Sequence, residues 1–300
     1  MPAHRFYRSA AALTLAALAV TSVSACRDDS ARMAEVPFTP IVAGEAASVT
    51  LAPAVEALPT AQKRVTVTHA APSQPVYRYV EDAYEMDEAF GDAPPDYGFD
   101  YGGVQPWVWR TAGDAWRMVE PTAYGERYYF YEPGQDDPYL VRDRDFAYAY
   151  DDGRLVNVFD RSGRVLDYYE AERRADWASR YYSRARALRQ AAKRDDREQI
   201  AAANWARRQQ RIEQDRQAWV QDRQRVAAWR AYQDRQDAQH RRELGAERER
   251  RQQASWAYRQ WRERDYQGPP PRVAVAQQHK RDWQFWKRQE QARRERDRDS

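Results

Sequence analysis

The sequence predicts an α+β protein. A small antiparallel, aromatic-rich β-sheet domain is followed by a long charged α-helix, with a disordered linker before them and a disordered tail after. Three observations carry this prediction. From Gln105 onward, large aromatic residues recur with a period of two between glycine-containing turns. At Leu166 that alternation stops and a 3–4 spacing replaces it. Residues 27–76 sustain neither period, and Gly245 and "QGPPPR" interrupt residues 245–300.

The chain opens with MPAHRFYR, which holds His4, Arg5 and Arg8 and no acidic residue, and runs into an apolar stretch from about Ala10 to Val20. A short basic region, an apolar run of roughly 7–15 residues and small residues at its end make an export signal. The run is shorter than the ~20 residues of a membrane-spanning helix. Val23-Ser24-Ala25-Cys26 resembles the lipobox of bacterial lipoproteins: an aliphatic residue, two small ones, then cysteine. The resemblance is confined to this segment. It implies a signal peptide over residues 1–25, cleavage before Cys26, and lipid on the Cys26 thiol and the new N-terminus. The first partner is then the membrane, held through acylated Cys26. Val23 stands where that family most often has Leu, and Val-x-Ala also suits the ordinary signal peptidase, which would release a soluble periplasmic or secreted protein. Arg27 stands where Asp retains such proteins in the inner membrane, which implies the outer membrane, facing the periplasm. Cys26 is the only cysteine in 300 residues, so no internal disulfide can form. Several acyl chains anchor stably where one does not.

Residues 26–76 are expected to be the lipidated N-terminus and an extended linker, rich in Ala, Val, Thr and scattered Pro. A flexible chain of about 50 residues has an end-to-end distance of roughly 40 Å. "KRVTVTHA" alternates and has the option of pairing as an edge strand.

Residues 77–167 are expected to be the globular, acidic β-rich domain. "YVEDAYEMDEAF" reads as a short helix with Val80, Ala83 and Tyr84 on one side. Trp107 and Trp109 then share a face, as do Trp116 and Met118, Tyr128 and Phe130, and Phe146, Tyr148 and Tyr150. "TAGD", "AYGE", "EPGQDDP", "YDDGR" and "DRSGR" mark the turns of five or six short strands in a meander. The expected core includes Trp109, Phe130, Tyr148 and Phe159. "YDDGRLVNVFDRSGR" resembles one YD repeat of large bacterial toxin and wall-associated proteins. It occurs once where that family strings many together, and is read as hairpin chemistry.

Residues 168–244 are expected to be the long charged helix. Tyr168, Ala171, Ala175, Ala178, Tyr182, Ala185 and Ala192 form a seam broken by Arg189. Trp205, Ile212, Trp219 and Val226 recur every seven residues with Arg208, Asp215 and Asp222 as companions. One apolar residue per heptad falls short of a coiled-coil dimer seam. The expectation is a solvated helix held by i,i+4 charge pairs, a rod of roughly 115 Å if continuous; the oligomeric state is left open. Gly245 and "QGPPPR" at 267–272 are expected to interrupt residues 245–300, leaving a basic tail of mixed helix and disorder.

Charge divides along the chain. Lys and Arg number 49 against 46 Asp and Glu, a net of +3. Residues 80–170 hold 8 Arg and no Lys against 21 acids, a net of −13, and residues 238–300 hold 17 Arg and Lys against 10 acids, a net of +7. The tail is therefore expected to meet an acidic surface, on this protein's own β domain or on an anionic envelope polymer or protein. Interspersed acids and export argue against nucleic acid as partner.

Chemistry is sparse. Histidines fall at 4, 69, 240 and 279, none within 77–167, and that zone has no cysteine. Nitrogen- and sulfur-liganded metals lack ligands there, and no Ser-His, Ser-Lys or Cys-His nucleophile can be assembled. No metal, cofactor or catalytic residue is assigned. Glu120, Glu126, Glu132, Asp136 and Asp137 are the carboxylates in principle open to glycoside cleavage. The acidic run "EDAYEMDEAFGDAPPDYGFDYGG" lacks the spacing of a calcium loop. The expected function is a membrane-anchored envelope lipoprotein with a structural or interaction role. The alternative is a wall- or glycan-binding module whose exposed aromatics are Trp107, Trp109, Tyr129 and Tyr131.

Overall fold

The computed structural model describes residues 40–68, 75–194, 197–233 and 238–271. The lipobox segment with Cys26 and the chain from residue 272 lie outside these. The described part opens with β1 (Ile41–Val42), a 3-10 turn at Val55–Ala57 and the helix α1 (Arg78–Phe90). Seven strands come next as a meander: β2 (Tyr97–Phe99), β3 (Trp107–Arg110), β4 (Trp116–Thr122), β5 (Gly125–Tyr131), β6 (Leu140–Arg142), β7 (Phe146–Asp151) and β8 (Arg154–Asp160). Then come α2 (Tyr168–Glu172), α3 (Ala175–Lys193), β9 (Arg197–Glu198), β10 (Ile200–Ala201), α4 (Ala202–Arg225), α5 (Ala227–Gln233) and α6 (Ala238–Glu263).

The eight-stranded sheet is antiparallel, in the order β8-β7-β6-β5-β4-β3-β2-β9. Four of its hairpins, β3–β4, β4–β5, β5–β6 and β7–β8, sit at glycine turns read from the sequence, whereas β6–β7 turns at Asp143–Asp145 without glycine and "DRSGR" follows β8. Asp152 and Gly153 both take positive φ, 48° and 73°, the two-residue turn whose twist matches the strands it joins. β10 leaves the sheet and pairs in parallel with β1, Ile41 opposite Ile200.

Both faces of the sheet are buried. One carries Trp107, Trp109, Val119, Tyr128, Phe130, Leu140 and Phe159, and packs with α1 and with aromatic residues of α4, α5 and α6. The other carries Met118, Tyr129, Tyr131, Val141, Tyr148, Tyr150 and Val158, under Ala178, Tyr181, Ala185 and Leu188 of α3. Trp109, Phe130, Tyr148 and Phe159 are all core residues, as expected. Arg189, which breaks the small-residue seam of α3, is itself buried, with its guanidinium carbon 3.6 Å from the Trp116 ring centroid.

Three expectations are corrected. The extended linker does not extend through residues 40–68. Ile41, Ala52, Val55, Leu58 and Val65 are buried, and Thr66 and Thr68 bond the backbone of Leu155 on the outer edge of β8. Packing on apolar surface outweighs the weak local preference of an Ala- and Pro-rich segment. The long charged helix is not one helix. It is broken at Arg173–Arg174, at β9–β10 and at Val226, where ψ is 102°. No proline or glycine causes these breaks. The free edge of β2 takes Arg197 and Glu198 as a strand, and Ile200 and Trp229 reach full burial by leaving the helical path. The basic tail is helical through Gly245, since α6 runs to Glu263.

The heptad positions Trp205, Ile212 and Trp219 of α4 are buried in the cluster on the sheet. Their polar companions are not solvated either. Arg208 reaches Glu126, and Asp215 accepts from the Tyr128 hydroxyl at 2.7 Å. The seam fits a polar–aromatic sheet face, which is why one apolar residue per heptad suffices.

Candidate functional site

The four aromatics expected to form a binding surface are not on a surface. Trp107 is 1% exposed, and Trp109, Tyr129 and Tyr131 are 0% exposed. They also lie on opposite faces: the tryptophans toward α1 and α4, the tyrosines toward α3. Their polar atoms are engaged internally. Trp109 Nε1 donates to the Ala93 carbonyl at 2.9 Å, the Tyr129 hydroxyl to Glu120 at 2.6 Å, and the Tyr131 hydroxyl to the Ala185 carbonyl at 2.8 Å. A sheet covered on both sides buries both sets of an alternating strand, so period two does not reveal an exposed face.

The carboxylates are separated in the same way. Glu120 faces α3 and is held by Arg184 at 2.5 Å, while Glu126 faces α4 and is held by Arg208 at 2.7 Å. Asp137 pairs with Arg186 at 2.8 Å, and Asp136 with Lys193, at the exposed end of α3. The acidic run after residue 80 is taken up by arginines. Glu81 binds Arg223, Asp87 binds Arg117, Asp92 binds Arg259 and Asp96 binds Arg251. Among the described residues no group of three or more His, Cys, Asp or Glu is placed to hold a metal ion. The negative excess of residues 80–170 is thus met in part by α4 and α6.

Sequence reasoning missed these buried arginines. Arg117, Arg127, Arg189, Arg208 and Arg251 are each 3% exposed or less. Arg117 lies 4.1 Å from the Trp109 ring centroid and 4.9 Å from that of Phe90, and Arg208 lies 3.6 Å from that of Trp107. A guanidinium presents a planar face to a ring and a fork to a carboxylate, which an ammonium cannot do. Burial pulls the Arg117 guanidinium below its ordinary value, against the attraction of Asp87. Burial likewise pushes the Glu81 carboxyl up, although Arg223 and the Trp229 indole both favour its charged form.

A cleft of about 470 Å³ opens between the end of α1 and the helices α4 and α6. That lies within the roughly 300–1,000 Å³ of small-molecule sites. α1 ends there because Gly91 takes φ 52° and turns the chain. The walls are tied together by Arg216 to Glu88 at 2.6 Å, by Gln209 to the Asp92 carbonyl at 3.2 Å, and by Arg259 to Asp92 at 2.8 Å. Phe90, Arg251 and Ser255 form its inner side. Its sequence signal was the 3–4 spacing of Glu247, Arg251, Ala254, Tyr258 and Trp261 in α6, all buried. That spacing was obscured by the glycine and the charges around it.

No protein-family model, curated protein or solved structure matches this chain.

Proposed function

We propose that this chain is a lipid-anchored envelope protein with an interaction role, held to the outer membrane through acylated Cys26. The observation that carries this reading is the lone cysteine, placed at the end of a basic-then-apolar leader in the order Val23-Ser24-Ala25-Cys26. A thiol used for lipid accounts for its position and for the lack of any second cysteine. None of the helices among the described residues is long and apolar enough to cross a membrane. An interaction role is supported by the sheet being covered on both faces, which leaves the exposed charged and amide side chains of α3, α4 and α6 as outward surface.

The test is metabolic labelling with a fatty-acid analogue in wild type and Cys26→Ala, followed by membrane fractionation. Label on wild type alone, with the variant released to the soluble fraction, is expected. Unlabelled wild type, or a variant that stays with membranes, overturns the reading.

The glycan-binding alternative loses its original residues, because Trp107, Trp109, Tyr129 and Tyr131 are buried. A different observation revives it, at the cleft.

A further inference from the structure

We infer that the cleft between α1, α4 and α6, together with Trp256 beside it, is a binding site for a short uncharged saccharide. It takes up the glycan-binding alternative with a new set of residues and does not depend on lipid at Cys26.

The charges of the cleft, Arg248 apart, are already matched. Glu88 and Glu213 both bind Arg216, at 2.6 and 2.7 Å, and Asp92 binds Arg259 at 2.8 Å. Arg251 is held by Asp96 and Glu247, each at 2.8 Å. A charged ligand that engaged any of these paired groups would have to displace its partner and leave a desolvated charge behind. Arg248, exposed at the rim, is the one lining cation that makes no ion pair among the described residues. Glu249 comes next to it in the chain.

What remains for a ligand is amide and hydroxyl. Gln210 and Gln252 line the cleft, are exposed, and make no side-chain hydrogen bond among the described residues. A carboxamide carries both a donor and an acceptor, the complement of a sugar hydroxyl, which is also both. Under them Ser255 is 2% exposed, and its hydroxyl has no hydrogen-bond partner among the described residues. A buried serine inside a helix ordinarily bonds back to the carbonyl four residues earlier. Ser179 of α3 does so, donating to Ala175 at 2.5 Å while accepting from the Val65 amide. The same residue type in the same setting is satisfied in α3 and unsatisfied at this cleft. A buried polar group without a partner calls for an explanation, and a ligand group that approaches from the cleft supplies one.

Trp256 supplies the apolar half. It is 61% exposed, whereas the other described tryptophans are buried or half-buried. On α6 it stands four residues after Gln252, so the two share a face one turn apart. An indole exposed beside a row of amides is a platform for the CH face of a pyranose, whose hydroxyls then point at Gln252 and Gln210. Neither a charged nor a purely apolar ligand would use this combination of groups.

The experiment titrates the full chain, in detergent, with three trimers: tri-N-acetylchitotriose (neutral), trigalacturonate (anionic) and chitosan trimer (cationic), by calorimetry and by the Trp256 indole NMR signal. The neutral trimer is expected to bind and to shift that signal. Trp256→Ala is expected to weaken it about tenfold, and Gln252→Ala several-fold. Both positions are exposed, so unchanged thermal unfolding checks that the fold persists. Tyr124→Ala, at a 70% exposed tyrosine in the β4–β5 turn, is the control and should bind as wild type. No binding of the neutral trimer at about 10 mM, well above the range of useful affinities, overturns the inference. So does equal affinity in the Trp256 and Gln252 variants, or tighter binding of trigalacturonate, which would assign the site to Arg248. None of these outcomes bears on lipid labelling of Cys26.

Discussion

Arg208 of α4 binds Glu126 of β5 by a two-pronged contact, Nη2 to Oε2 at 2.7 Å and Nε to Oε1 at 3.1 Å, inside the aromatic core. Removing one partner leaves a buried charge. Arg208→Ala is therefore expected to cost about 3–5 kcal/mol, while the double variant Arg208→Met/Glu126→Leu is expected to come much closer to wild type. Arg208→Lys keeps the charge but loses the fork and the face over Trp107, and should fall between them. Urea unfolding of wild type and the three variants measures these differences; a double variant no more stable than Arg208→Ala would show that the pair is not the source of the loss.

Alkaline unfolding should be steep. Burial holds the hydroxyls of Tyr128, Tyr131, Tyr139 and Tyr150 well above the ordinary 10.0. In the unfolded chain they ionise near that value, so above it the unfolded state binds fewer protons than the folded state. The stabilising contribution is complete below pH 10 and is lost as pH rises toward the folded values, at roughly 1.4 kcal/mol per pH unit for each tyrosine. Tyrosinate absorbance of these residues should then appear together with the loss of ellipticity. A gradual rise centred on pH 10 in a protein that stays folded would contradict their burial.

Two glycines are expected to respond to alanine with opposite signs. Gly245 lies inside α6, and an added Cβ meets nothing within 4 Å. Gly245→Ala should stabilise by about 0.4–1 kcal/mol. Gly163 has φ 79°, and a Cβ there would stand 3.2 Å from Val226 Cγ2 and 3.4 Å from the Trp229 ring. Gly163→Ala should destabilise by roughly 1–3 kcal/mol. Melting temperatures that move in the same direction would place α6 or the Val226 bend wrongly.

Residues 40–68 are expected to behave as core. Leu58, 3% exposed, packs in the cluster under α3. Leu58→Asp should destabilise by at least about 3 kcal/mol, because it removes a buried side chain and introduces a charge. An extended linker would tolerate the substitution with no change in denaturant midpoint.

How much of this was legible in the sequence differs by element. The hairpins were, because Asp152-Gly153 and its counterparts impose local geometry that no tertiary contact needs to specify. The strand faces were not, since Phe130 and Tyr131 are both at 0% exposure and alternation carries a signal only when one face is wet. The helix breaks at β9–β10 and at Val226 were hidden because nothing local causes them; the edge of β2 and the burial of Trp229 do. The arginines were hidden for a different reason. Arg208, Asp215 and Asp222 have the composition of a solvated face, and only the sheet opposite them turns that face into an interior. The cleft was hidden in the same way, since Ser255 and Gln252 acquire meaning only once α6 stands beside α1.

The return of β9 to β2 orders the events of folding. The meander forms from neighbours in the chain, through hairpins that close short loops and assemble early. Gly98 must instead wait for Glu198, 100 residues later, and Asp96 waits for Arg251. A chain growing from its N-terminus therefore has β2 to β8 ready while α4 and α6 are still unmade. During that interval Trp107, Trp109 and Phe130 have α1 on their side of the sheet but lack the cover of α4, α5 and α6. A product truncated between β8 and α4 would leave the part of that face covered by α4 to α6 permanently open, with β2 as an open edge, and is expected to self-associate rather than persist as a smaller folded protein.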